Sequence, residues 1–223
     1  DGNVLAVSGY REVLLHKSDG SKLLARLLGK SDRIESIIYA TNSNMLVVVG
    51  GTPARFGEVQ IWDTGANKLI HSLKSTFDTV YGASLSPDNS LLAFGCTDET
   101  ARIISVKDQK ELVRFDNHSD WVLGTVFTTD GSHFVTGGRD TALKLTEVKS
   151  GSFVDDINAS NKGSGPIHKI ARHPKLDQVL SGGEDRIPRL YQIFRQKRRD
   201  VGNTDLNLIR AFERQSDVIN AVA

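Results

Sequence analysis

The sequence is poor in the residues that staple small folds. Cys96 is the lone cysteine among 223 residues, which excludes a disulfide within the chain and a cysteine-based zinc site. A single cysteine does not report the redox compartment. Neither staple is needed, because a chain of this length buries roughly 70% of its unfolded surface. Charge of one sign is also missing: 28 Lys and Arg stand against 27 Asp and Glu. No global field then draws the chain onto nucleic acid or an anionic bilayer, so no nucleic-acid partner and no membrane insertion are expected. No apolar run approaches the ~18 residues of a membrane span, and no basic start with an apolar core marks a leader. Gly-x-Ser-x-Gly elbows and phosphate loops are absent. Nothing argues for catalysis, so the chain reads as a non-enzyme with no cofactor and no metal.

What is present is a repeat. Asp, any residue, then a β-branched residue opening an apolar strand occurs as Asp32-Arg33-Ile34, Asp78-Thr79-Val80, Asp120-Trp121-Val122 and Asp217-Val218-Ile219, with Gly165-Pro166-Ile167 as a variant. The anchors at 34, 80, 122, 167 and 219 lie roughly 42 to 52 residues apart, and self-similarity at such a period signals a repeat architecture. Small residues end the next strand at Ser8-Gly9, Gly50-Gly51, Gly95, Gly137-Gly138 and Gly182-Gly183, and Asp98, Asp140 and Asp185 follow. An aspartate there accepts backbone N–H bonds in a tight turn. Third strands follow through Trp62-Asp63, Ile103-Ile104, Leu145-Thr146 and Leu190-Tyr191, and short fourth strands such as Lys68–Leu73 and Lys110–Phe115 close the units. Alternation predicts that Ile34, Ser36 and Ile38 share a face, as do Val122, Gly124 and Val126.

These units resemble WD repeats, over nearly the whole chain. The resemblance implies an all-β fold: a β-propeller of four-stranded antiparallel blades. The signature is degenerate, since only Trp62-Asp63 carries the dipeptide. The family's inter-strand network is represented by His118, with Thr136 and Asp140 as partners, and Thr146 stands where the family's Trp completes it. Trp62, Asp98 and Asp185 are assigned structural roles with these three. The expected boundaries are 1–29 (partial blade), 30–75, 76–117, 118–160 and 161–214 (four full blades), and 215–223 (first strand of the next blade). Residues 219–223 then either close a five-blade ring with the opening strands or belong to a fragment of a larger ring. The fragment is preferred, because WD-type rings usually have seven blades and propellers range from four to eight. The segment from Asn158 to Glu213 is similar to the WD-repeat part of planctomycete-type bacterial proteins that join such a propeller to a c-type cytochrome domain. That likeness implies an envelope or periplasmic location. Without it the expectation is cytoplasmic.

The aspartates at blade period read as turn caps rather than a metal ring. Cys96, at a strand end, reads as a buried filler. The run Arg195, Lys197, Arg198, Arg199 reads as a hairpin tip on the lower rim that could also grip anions. The family resemblance implies that protein partners, or a neighbouring domain, bind at the upper rim. By position this assigns Arg33, Glu35, Thr79, Tyr81, Thr97, Trp121, Leu123, Arg139, Pro166, His168 and Glu184. Trp121 is the sharpest of them, as Trp and Arg are enriched at interface hot spots. The expected function is a non-catalytic interaction scaffold. The alternatives are an accessory propeller of an exported haem-containing redox protein and a sugar-binding five-blade propeller.

Overall fold

A computed structural model describes residues 2–41, 44–158, 165–195 and 207–223. The chain forms two compact units, Asp1–Ala83 and Ser84–Ala223. The first opens with a three-stranded sheet of β1 (Val4–Gly9), β2 (Glu12–Lys17) and β3 (Leu23–Leu28), followed by a four-stranded sheet of β4 (Arg33–Tyr39), β5 (Met45–Thr52), β6 (Phe56–Asp63) and β7 (Lys68–Thr76). The division between units falls within β8 (Val80–Leu85), which forms a sheet with β9 (Leu91–Cys96), β10 (Ala101–Ser105) and β11 (Glu111–Phe115). Two more four-stranded sheets complete the second unit. One is β12 (Val122–Phe127), β13 (His133–Gly138), β14 (Leu143–Glu147) and β15 (Phe153–Asp156). The other is β16 (Ile167–Arg172), β17 (Gln178–Gly183), β18 (Arg189–Gln192) and β19 (Leu208–Ala211). All five are meanders with strands in chain order, and the described residues contain no helix. The fold is all-β: one three-stranded and four four-stranded antiparallel sheets, each a blade of the β-propeller type.

Local chemistry sets the turns. Glu99, Thr141 and Arg186 adopt left-handed φ of 67°, 68° and 66°, a conformation that costs a non-glycine residue roughly 1–2 kcal/mol. Each follows a turn aspartate whose carboxylate offsets that cost by accepting a backbone N–H two residues on. Thr100 donates to Asp98 (3.2 Å), Ala142 to Asp140 (3.3 Å) and Ile187 to Asp185 (3.1 Å).

The middle strands β5, β6, β9 and β13 are buried almost throughout, so alternate residues enter the cores on opposite faces of each sheet. In the first unit Val13, Leu15 and Leu27 pack against Leu46, Val48 and Trp62. In the second, Phe115, Phe127 and Phe134 pack with Ala93, Ile103 and Val122, while Val126, Leu143 and Leu145 pack with Ile167, Ile170 and Tyr191.

Two expectations are corrected. The first strands do not alternate evenly. In β4 the register shifts between Ile34 and Ser36, in β12 between Val122 and Gly124, and in β16 between Ile167 and Lys169. One extra residue at each shift is a β-bulge, which flips the side chains that follow it. Val122 and Val126 consequently lie in different cores, rather than on one face. The bulges also account for the glycines. A Cβ at Gly50 would lie 2.0 Å from the Arg33 carbonyl oxygen, and one at Gly183 would lie 2.0 Å from that of Pro166. Residues 219–223, expected as a first strand, form none. A strand needs a ladder partner, and no described strand pairs with them. Instead the Ile219 amide donates to the Gly183 carbonyl (3.1 Å), and Ile219 and Val222 lie over Gly182.

Candidate functional site

The bulges bear directly on the rim residues. In each bulged strand the residue without a ladder partner is the one after the anchor: Glu35, Leu123 and His168. Bulges re-aim a side chain and are common beside functional sites.

In the second unit the start of β12 forms a cluster. The Trp121 amide donates to the Asp120 carboxylate (2.7 Å), and the Trp121 carbonyl accepts from the Arg139 amide (2.9 Å). The Arg139 guanidinium lies 4.7 Å from the Trp121 ring centroid and 3.9 Å from the Asp120 carboxylate. A cation over an indole face is attracted by the ring quadrupole. Trp121 is therefore half-buried under Arg139, which is itself exposed. The β16 start repeats the frame, with the Glu184 amide donating to the Pro166 carbonyl (3.0 Å). His168 stands 3.5 Å from the Glu184 carboxylate and 3.3 Å from Asn220. Leu123, Pro166, His168 and Thr97 are half-buried, and Glu184 is exposed.

In the first unit Arg33 is exposed, while Glu35 and Tyr81 are half-buried. Thr79 is a correction: it is buried, and its hydroxyl has no hydrogen-bond partner among the described residues. The Asp78 carboxylate takes the Thr79 amide (2.7 Å) and turns the chain inward beside Gly51, so the residue faces no solvent.

The polar network lies in the second unit. His118 Nδ1 meets the Asp140 carboxylate at 2.9 Å, and Nε2 meets the Thr136 hydroxyl at 2.6 Å. Burial works to raise the Asp140 pKa. The His118 hydrogen bond and charge, with the Ser119 and Ala142 amides, outweigh it and hold the carboxyl below its ordinary value. The bonds end at Thr136, because Thr146 is fully buried and its hydroxyl has no partner among the described residues.

Other sheets fill the same third-strand register differently, through residues that the repeat pattern did not flag. Buried Trp62 donates to Gln60 (3.0 Å), and Gln60 donates to Glu58 (2.8 Å). Glu58 also accepts from Ser31 (2.7 Å) and Ser72 (2.5 Å). Arg102 pairs with Asp98 (2.5 Å) and reaches Glu111 (3.5 Å). Arg189 pairs with Asp185, and within the sheet of the His118 network itself Lys144 pairs with Asp156 (3.1 Å). The signal was a polar residue inside an apolar third strand, as in Glu58-Val59-Gln60-Ile61-Trp62.

The anion-binding reading of the basic run loses its first member. Arg195 is paired with Asp155, with a further bond to the Asp156 carbonyl (3.4 Å), so its charge is already matched within the fold. Lys197, Arg198 and Arg199 lie outside the described residues. Among the described residues no group of three His, Cys, Asp or Glu is arranged to hold a metal ion.

The family model described as "WD domain, G-beta repeat" matches residues 67–105 and 109–146. Two consecutive segments of the chain thus match the WD repeat. Among its relatives, WD repeat-containing protein 1 of Rattus norvegicus is 26% identical over 169 residues, which is 72% of this chain and 26% of that protein. Eukaryotic translation initiation factor 3 subunit I of Culex quinquefasciatus is 25% identical over 205 residues, 87% of this chain and 57% of that protein. DENN domain and WD repeat-containing protein SCD1 of Arabidopsis thaliana is 20% identical over 172 residues, 77% of this chain and 14% of that protein. The WD-repeat chain thus spans about a quarter of the length of the first of these relatives. These relatives are eukaryotic, whereas the cytochrome-linked resemblance pointed to bacteria.

Proposed function

We propose that this WD-repeat chain is a non-catalytic scaffold that binds a protein partner, or a neighbouring domain of its parent, along the rim where the first strands begin. In the second unit the contact centres on Trp121 and Arg139. The observation that carries this reading is the stacked Trp121–Arg139 pair beside the bulge residue Leu123. The bulge is a backbone device for re-aiming a side chain, and the indole and guanidinium are the groups most often found at interface hot spots. Relatives named as a WD repeat-containing protein and as a subunit of a translation initiation factor agree with a scaffold in general terms.

The test is capture of partners from the native source with wild-type protein and with Trp121→Ala. Truncation of a hot spot costs about 2 kcal/mol or more, roughly a thirtyfold loss of affinity. Circular dichroism checks that the variant folds. Equal recovery of partners by the variant refutes the assignment. Loss of the fold returns Trp121 to a structural role.

A further inference from the structure

We propose that the first unit carries its own peptide-binding surface, made by Tyr10, Arg11, Arg33, Pro53, Arg55 and Phe77, and that its ligand is an acidic protein segment with an apolar anchor. This rests on the reading of the chain as a scaffold and names the chemistry of one partner.

A chain of contacts runs through Tyr10 and Arg11 and through the chain neighbours of the other four residues. The Arg11 side chain binds the Asp32 carboxylate at 2.5 Å, and its guanidinium lies 5.1 Å from the Tyr10 ring centroid. The Asp32 amide reaches the Thr52 hydroxyl (3.5 Å), which begins the turn through Pro53, Ala54 and Arg55. At the far side of that turn the Ala54 amide donates to the Asp78 carboxylate (3.0 Å), next to Phe77. Arg11 and Ala54 both hold left-handed φ, 59° and 58°. Both turns are thus pinned in an unusual conformation by bonds to Asp32 and Asp78. A surface ordered in advance loses less freedom on binding.

The chemistry of the surface is asymmetric. Its two rings are among the most exposed large apolar side chains of the protein, Tyr10 at 69% and Phe77 at 72%. Its carboxylates are already occupied. Asp32 takes the Arg11 hydrogen bond, opposed by desolvation and supported by the Thr52 and Tyr10 hydroxyls, and its pKa lies below the usual value. Asp78 takes two backbone amides. By contrast, the guanidinium groups of exposed Arg33 and Arg55 have no ion pair or side-chain hydrogen bond among the described residues. Open guanidinium groups with exposed rings are complemented by carboxylates flanking an apolar side chain. The first are bound as charge-assisted, often bidentate pairs, and the second buries against the rings.

The probe is a fluorescent peptide of Asp, Glu and Leu, compared with its Asn/Gln/Leu counterpart by fluorescence anisotropy. The acidic peptide is expected to bind at least roughly tenfold more tightly than the amide peptide, and to weaken as salt rises from about 0.05 to 0.3 M. Arg55→Glu and Phe77→Ala are each expected to weaken it by about fivefold or more. Both positions are exposed, and circular dichroism verifies their fold. Equal binding of the two peptides, no binding of either, or indifference to both substitutions overturns the proposal. Binding lost with Trp121→Ala but retained with Arg55→Glu also overturns it, while leaving the scaffold reading intact. That reading is judged separately, by partner capture with Trp121→Ala.

Discussion

Replacing Trp62 with alanine should nearly abolish the stability of the first unit. The indole is 4% exposed and packs with Val13, Leu15, Leu27, Leu46 and Val48. Truncating a buried Trp costs about 3–5 kcal/mol in lost transfer energy and cavity. The substitution also removes the donor to Gln60, which sits in the buried chain to Glu58. An orphaned buried acceptor adds about 1–3 kcal/mol. The sum, about 4–8 kcal/mol, is comparable to the entire stability of a weakly stable domain. Trp62→Phe separates the two contributions. It keeps most of the apolar volume and loses the N–H, so it should cost about 1–2 kcal/mol. Urea unfolding followed by circular dichroism measures both variants. The remaining indole, Trp121, reports the second unit by fluorescence. A Trp62→Ala variant within about 1 kcal/mol of wild type would refute the core assignment, since deleting a buried indole cannot be that cheap. Equal losses in the two variants would place the energy in the hydrogen bond rather than in packing.

Three further outcomes are expected. The Asp140 pKa is depressed in the fold, so its contribution is complete above the unfolded value near 4 and is lost as pH falls through that value toward the folded one. Asp140→Asn should accordingly flatten the acid loss of stability below about pH 5 in urea midpoints, and an unchanged acid limb would contradict this. Cys96 is fully buried, and that burial pushes its thiol up to about 12. It should react with a disulfide reagent only on unfolding, so rapid labelling of native protein would refute its burial. Gly183→Ala drives a Cβ to 2.0 Å from the Pro166 carbonyl oxygen within the β16–β17 ladder, whereas Gly182→Ala meets the Cγ2 methyl of Ile219 at 2.5 Å, a side chain on a segment outside any ladder. Thermal melts should rank Gly183→Ala as clearly the more destabilising, by about 1–3 kcal/mol, and the reverse order would show that the bulged backbone can shift.

Sequence alone determined the features that rest on local chemistry repeated in phase. First strands begin at Arg33, Val80, Val122 and Ile167, beside or on the anchors, because a capping residue and a β-branched start act within a few positions. The turns after Asp98, Asp140 and Asp185 were legible for the same reason, while the contacts of His118 with Thr136 and Asp140 were implied by the family resemblance rather than by the repeat. Tertiary structure decided whatever depends on a neighbouring strand. A bulge is a register relation between two strands, so the alternation of β12 could not reveal Leu123 as its extra residue. Burial of Thr79 depends on Gly51, and the pairing of Arg195 depends on Asp155, forty residues away. Residues 219–223 carry a first-strand pattern, yet without a ladder partner they form no strand. Tyr10 and Phe77 look like ordinary strand or turn aromatics in the sequence. Only the fold leaves their rings in solvent, because exposure is set by what packs against a residue and not by its type.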